Sequence, residues 1–213
     1  VKNGEEELID NQVTGIGSVT LTFTTAGTYN ITAYAAMSGA ADSDKVTFTY
    51  KVVDSAVYVS DGGNDGNPGT ENEPVATLEK AIKLLDEAQF TEGEIVVTGT
   101  VATEEVIIST LNGTTGSVTT LMVRGGADGG TLENENGRVF TIGSGGSVTL
   151  GEGITLTGTV TDGNGGAVYV DGGTFTMERG SKITGSSATG NGGAVYVNGG
   201  TFTMNDGSKI TGS

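Results

Sequence analysis

The chain has no cysteine, no histidine and no tryptophan, and only two prolines in 213 residues. Without cysteine it has no disulfide and no thiolate metal site. Without cysteine or histidine, the common nucleophile–imidazole pairs and imidazole acid–base chemistry are closed to it. Basic residues are scarce as well, 10 against 26 acidic ones, for a net charge of −16. Nucleic acid and anionic membrane surfaces both call for clustered lysine and arginine, so neither is an expected partner. Hydrophobic runs are short, and none approaches the ~20 residues of a membrane-spanning helix. The missing cysteines suit an exported bacterial protein as well as a cytosolic one.

Glycine (38 residues) and threonine (34 residues) are what the chain has in abundance. Glycine costs backbone entropy in a helix, and threonine loses rotamer freedom against the preceding turn. A helical bundle is therefore excluded. The acidity is uneven: residues 1–138 carry 21 acids and 7 bases (−14), and residues 139–213 carry 5 and 3 (−2). Its plainest consequence is solubility.

Repeats decide the architecture. Residues 163–185 read GNGGAVYVDGGTFTMERGSKITG, and residues 190–212 read GNGGAVYVNGGTFTMNDGSKITG. The offset is 27, and the copies differ only at Asp171/Asn198, Glu178/Asn205 and Arg179/Asp206. A weaker copy precedes them. Ser147–Leu150 lies 27 residues before Thr174–Met177, while 139–142 matches 167–170 through a loop one residue longer.

Each unit holds three short runs of alternating polarity (AVYV, TFTM and SKITG) separated by glycine-rich corners. A propeller blade needs four antiparallel strands and ~40 residues, whereas three short strands per repeat suit one turn of a parallel β-helix. There each strand pairs with its equivalent one coil away, ~4.8 Å distant. Alternation then places Val168, Val170, Phe175, Met177 and Ile183 inside, over Val195, Val197, Phe202, Met204 and Ile210. Tyr169, Thr174, Thr176, Lys182 and Thr184 face outward.

Upstream, 77–88 reads as one amphipathic helix with Thr77 as N-cap and an apolar stripe of Leu78, Ala81, Ile82, Leu85 and Ala88. A lone helix before a solenoid is expected to cap its first coil. Strands at Glu94–Val97, Glu105–Ser109 and Leu121–Arg124 follow before the 27-residue register settles. The expected division is an N-terminal module over 1–54, a strand, loop and capping helix over 55–91, and the solenoid over 92–213. The chain opens abruptly and closes within a repeat, which suggests a piece of a longer mature protein.

Val57-Tyr58-Val59-Ser60, the run DGGNDGNPGT, and 73–82 (EPVATLEKAI) together resemble the opening segment of right-handed parallel β-helix proteins of the pectate-lyase-like superfamily. The GGAVYV repeats resemble those of bacterial surface and autotransporter-type β-helix adhesins, including the chlamydial polymorphic outer membrane proteins. The resemblance spans roughly 55–213 and implies a right-handed parallel β-helix at the cell surface. Residues 26–35 (AGTYNITAYA) are similar to the penultimate strand of small bacterial immunoglobulin-like domains, including the type that ends chitobiases and hexosaminidases. That likeness implies an Ig-like β-sandwich spacer over 1–54, with strands at 18–23, 29–35 and 46–53, short enough to be truncated.

Residues suited to chemistry are few. Asp61, Asn64, Asp65 and Glu71 supply hard oxygens and are candidate Ca²⁺ ligands. An EF-hand does not fit them, because Gly63 and Asn72 stand where ligands belong. The alternative is an Asx-and-glycine turn feeding the helix. No catalytic residue and no other cofactor is assigned. A polysaccharide lyase would need a unique basic residue, yet Lys182 and Lys209 form a repeat and Arg179 aligns with Glu152 and Asp206. A glycosidase would need paired carboxylates, but Asp171 and Glu178 become asparagine one coil on.

The expected function is therefore a non-catalytic structural or adhesive rod of an exported bacterial surface protein. Its expected ligand face comprises Tyr169, Thr174, Thr176, Tyr196, Thr201 and Thr203, and its partners are carbohydrate or a host or cell-surface protein. Two alternatives stand beside it. One is a polysaccharide-active β-helix enzyme or its carbohydrate-binding part. The other is ice binding by the Thr-x-Thr ladder of 147/149, 174/176 and 201/203.

Overall fold

A computed structural model describes residues 2–3, 6–7, 27–34, 39, 41, 43–52, 56–110, 117–160 and 162–213. The chain divides into two units, Val1–Asp54 and Ser55–Ser213. In the first, β1 (Lys2–Asn3), β2 (Glu6–Glu7), β3 (Gly27–Ala33) and β4 (Val46–Val52) form one antiparallel sheet in the order β2-β1-β3-β4. Two of the three expected strands are thus present. The run 18–23 lies outside the described residues, and no second sheet is present among those described. Tyr29 and Ile31 of β3 are buried, while their partners Tyr50 and Phe48 on the edge strand are half-exposed.

The second unit begins with β5 (Ala56–Ser60), followed by α1 (Leu78–Glu87) and β6 (Glu92–Ala102). Four turns of solenoid follow. The first contains β7 (Val106–Ile108) and the long β8 (Thr120–Asn134); the second contains β9 (Phe140–Gly143), β10 (Ser147–Leu150) and β11 (Ile154–Val160). The third contains β12 (Val168–Asp171), β13 (Thr174–Met177) and β14 (Lys182–Thr184), with the short β15 (Ser187–Ala188) after it. The fourth contains β16 (Val195–Val197), β17 (Thr201–Met204) and β18 (Lys209–Thr211).

All inter-coil ladders of this unit are parallel. One sheet runs β16-β12-β9-β7. The larger one runs β17-β13-β10-β8-β11-β14-β18 and also takes in β6 and β5, because β8 bends around a corner and serves two faces. The repeat offset appears directly in the pairing: Phe175 opposes Phe202, Ile183 opposes Ile210, and Val148 opposes Phe175, all 27 residues apart. Phe140 opposes Val168 at 28, as the longer loop requires. Upstream irregularity is taken up between β6 and β8, where the register shifts between Val97 and Gly99 opposite the glycine run 125–130.

Burial follows the alternation. Val168, Val170, Phe175, Met177 and Ile183 are all fully buried, with Leu121, Val148, Phe140, Ile142 and Leu156 above them. The Phe175 and Phe202 rings stack at 5.3 Å, with an interplanar angle of 14°. Corners are closed by glycine where nothing else fits: Gly172 has φ +87°, and a Cβ on Gly173 would stand 2.5 Å from the Gly143 carbonyl oxygen. Two buried serine hydroxyls at corners have backbone partners. Ser181 Oγ donates to the Glu178 carbonyl (2.6 Å), and Ser186 Oγ accepts from the Gly158 N–H (3.2 Å).

Helix α1 caps the first coil as expected, but its buried stripe differs. Leu78, Ala81, Ile82, Leu84 and Leu85 are buried, so Leu84 joins the core. Ala88 leaves it, because the helix ends at Glu87 and Ala88 becomes an exposed C-cap. The chain then turns through Gln89, the one described non-glycine residue with positive φ (62°).

Candidate functional site

The 61–71 loop is built around its own backbone. Asn64 Oδ1 accepts the Gly66 N–H at 2.7 Å, an Asx turn. Asp65 reaches across the loop: Oδ1 accepts the N–H groups of Ala76 (2.9 Å) and Thr77 (3.0 Å), and Oδ2 accepts the Thr77 hydroxyl (3.0 Å). Thr77 Oγ1 in turn accepts the Lys80 N–H at 3.2 Å. An acid at the start of a helix satisfies orphan donors and complements the dipole. Asp61 accepts from the Ser60 hydroxyl (3.3 Å), and Glu71 is exposed on the far part of the loop. Among the described residues no group of three or more acids is placed to hold a metal ion. The sequence could have signalled Asp65 as a capping residue only through an i, i+12 relation, which local patterning does not contain.

The outward residues resolve into columns on separate faces. Tyr169 and Tyr196 belong to the β16-β12-β9-β7 sheet, where their rings stack at 5.5 Å and 9°. Thr174, Thr176, Thr201 and Thr203 lie around the Gly172–Gly173 corner, on the larger sheet. The six expected ligand residues therefore form two surfaces, not one. The first threonine column runs Thr120–Ser147–Thr174–Thr201 and the second Thr149–Thr176–Thr203, with Met122 above Thr149.

Above the tyrosines sits a cluster that sequence reading missed. The Arg138 guanidinium lies 5.1 Å from the centroid of the Tyr169 ring. Its Nη1 donates to Thr141 Oγ1 (3.3 Å) and is 3.6 Å from Glu105 Oε1, and Thr141 Oγ1 donates to the same carboxylate at 2.5 Å. Arg138 Nε is buried with no hydrogen-bond partner. Cation and aromatic ring here form one continuous stack with the tyrosine ladder. The 28-residue step from Thr141 to Tyr169 was readable, but the approach of Arg138 from a corner was not.

At the upper end of the threonine face, Arg124 pairs with Glu94, and the Glu94 carboxylate holds the guanidinium above its already high range, with Tyr58 adding to the effect. Tyr58 and Arg124 flank Val96 in register, and Val96 is buried although it alternates with the core residues Ile95 and Val97. Beside this pair an open depression of about 550 Å³ is lined by Phe90, Glu92, Glu94, Thr120 and Met122, among others. Farther round, Asp86 Oδ1 accepts the Ser117 N–H (2.9 Å) and hydroxyl, and these donors hold its carboxyl below the usual range.

Within the array the acids meet amides. Asp171 Oδ1 accepts from Asn198 Nδ2 (3.1 Å), and Glu178 Oε2 accepts from Asn205 Nδ2 (2.8 Å). Each carboxylate thus faces an asparagine, not an acid, one coil on. No family model, no curated protein and no solved structure matches the chain. The conclusion that rests on its own residues is architectural: an all-β chain whose second unit is a parallel β-solenoid under a helical cap.

Proposed function

We propose that this chain is a non-catalytic structural and adhesive module of an exported bacterial surface protein, a stiff rod that presents repeated side-chain columns to a partner. The observation that carries this reading is the translational identity of its exterior. Tyr169 over Tyr196, Thr174 over Thr201, and Thr176 over Thr203 repeat in register at one-coil spacing. Active sites need a unique constellation in a pocket, whereas a repeated surface suits many weak contacts acting together. The fitting partners are a carbohydrate or a cell-surface protein, met at the tyrosine or the threonine face. The likeness of the GGAVYV repeats to β-helix adhesins, and of 57–82 to the pectate-lyase-like opening segment, supports the same reading and the right-handed sense of the coil.

The test is binding of the purified chain to arrayed glycans and to host cells, together with activity assays on pectin, alginate and chitin oligomers. Binding that weakens stepwise as coils are deleted, without turnover, supports the proposal. Turnover abolished by one substitution, such as Arg138→Ala or Arg179→Ala, would replace it with the polysaccharide-active alternative. The threonine columns give ice binding its one supporting observation, and thermal hysteresis removed by Thr176→Tyr would establish that reading instead.

A further inference from the structure

Among the described residues, asparagine–glycine dipeptides stand at 136–137, 164–165, 191–192 and 198–199. Asparagine before glycine is open to attack by its own backbone, because glycine has no Cβ to keep its nitrogen from the preceding side-chain carbonyl. The solenoid holds three of these dipeptides. Asn164 Oδ1 accepts the Asn191 N–H (2.6 Å), and the Gly165 N–H donates to the Asn191 carbonyl (2.9 Å). Those two bonds fix the Asn164 side chain and the peptide planes that follow Asn164 and Asn191. Asn198 Nδ2 donates to Asp171 Oδ1 (3.1 Å), which holds its amide and opposes any carboxylate formed in its place.

Asn136 is placed differently. It lies in the turn between β8 and β9, its side chain is exposed and without a hydrogen-bond partner, and the Asn136–Gly137 peptide group bonds to no neighbouring coil. The turn around it is tied down. Asn134 Oδ1 accepts the Asn136 N–H (3.1 Å), Asn134 Nδ2 donates to the Arg138 carbonyl (2.8 Å), and the Gly137 carbonyl accepts the Thr159 N–H (2.9 Å). We propose that Asn136 is a self-modification site, where the chain converts asparagine to aspartyl and isoaspartyl forms with water as the reagent. The Gly137 nitrogen attacks Asn136 Cγ. The N–Cγ bond forms, the Cγ–Nδ2 bond breaks, and Nδ2 leaves as ammonia with the proton of the Gly137 N–H. Water then opens the cyclic imide at either carbonyl. Opening at Cγ gives aspartate, whereas opening at the backbone carbonyl routes the main chain through Cβ and lengthens it by one carbon. Both products add a negative charge beside Glu135. The longer one displaces Arg138, whose guanidinium lies 5.1 Å from the Tyr169 ring centroid and 3.6 Å from Glu105 Oε1.

Incubation of the full chain in mildly alkaline buffer, followed by peptide mapping, tests this. The peptide spanning 134–138 should gain about 1 Da and become a substrate for an isoaspartyl methyltransferase. It should do so at least about tenfold faster than the peptide bearing Asn164, where reaction must await opening of the coil ladder. In denaturant the two sites should react at similar rates, since the dipeptide is the same. Asn136→Gln should remove the gain at 134–138, because glutamine closes its larger ring far more slowly. The isoaspartyl fraction should melt below the unconverted chain, while Asn136→Asp, which keeps the main-chain length, should melt close to it. Equal rates at Asn136 and Asn164 in the native chain, conversion at Asn164 alone, or an intact Asn136 under conditions that convert the denatured chain would overturn the proposal. An isoaspartyl fraction that melts with the unconverted chain would overturn the displacement of Arg138.

Discussion

Single side chains set the energetics of this solenoid through their position in a column. Phe175 is fully buried and stacked on Phe202, which is only half-buried because coil 163–189 covers it from one side alone. Phe175→Ala should therefore cost about 3–5 kcal/mol, and Phe202→Ala about 1–2 kcal/mol. Denaturant titration of the two variants checks the ratio. Phe175→Asp should unfold the array far more readily than Thr176→Asp on the outer face, since an unpaired buried charge is among the costliest changes available. Asp86 gives a pH dependence of known sign. Its carboxyl is held low in the folded state by the Ser117 donors. Its contribution is therefore present above the unfolded carboxylate range and is lost as pH falls from about 4 toward the lower folded value. Melting temperatures measured from about pH 6 to pH 3 should fall more steeply in the native chain than in Asp86→Asn.

The capping helix is the element whose local chemistry is most fully determined. Its N-terminus is held by Thr77 and by three hydrogen bonds to Asp65. Farther along, Glu79 Oε1 accepts from Thr103 Oγ1 (3.3 Å) and the Glu104 N–H (3.2 Å). Thr77→Ala should cost about 1 kcal/mol, and Asp65→Ala about 1–3 kcal/mol, because it orphans two backbone donors as well as a hydroxyl. Since the Asp65 oxygens already have partners, millimolar Ca²⁺ should leave the melting temperature of the native chain unchanged. A rise of several degrees would assign the loop to metal instead, because a ligand bound only by the folded state stabilises it. At the other end of the helix, Gln89 sits at φ 62°. Gln89→Gly should raise stability by a few tenths of a kcal/mol to about 1, as the left-handed C′ position favours glycine.

Over the whole molecule, stability is distributed along one axis. Each coil touches its neighbours alone, so the solenoid approximates a one-dimensional chain of coupled units. Apolar burial is complete from coil 139–160 to coil 163–185 and partial in coil 190–213. Amides of β16, β17 and β18 should accordingly exchange first, and those of β10 and β13 last. Native-state hydrogen exchange reads that gradient, and a uniform rate along the ladder would contradict it. The same one-dimensionality makes the exterior repetitive, which is the feature the proposed adhesive role rests on.

Repetition is also why so much was legible beforehand. An exact 27-residue offset, with alternation inside each run, fixes three strands per coil, their parallel pairing and their inward faces without any knowledge of distant contacts; Thr77 and the apolar spacing after it likewise fix a helix and its start. The remaining features depend on residues that are neighbours only in space. Leu84 enters the core, and Ala88 leaves it because the helix stops at Glu87. Val96 is buried because Tyr58 and Arg124, 38 residues before and 28 after it, close over it. Arg138 reaches Tyr169 from a corner, and Asp65 caps a helix twelve residues away. The tyrosine and threonine columns, joined as one face in the sequence, are parted by the turn at Gly172 and Gly173. Periodicity states which residues are equivalent, and so determines the ladder. Where the corners bend the chain, and which side chains they bring together, is decided only once the coils have closed.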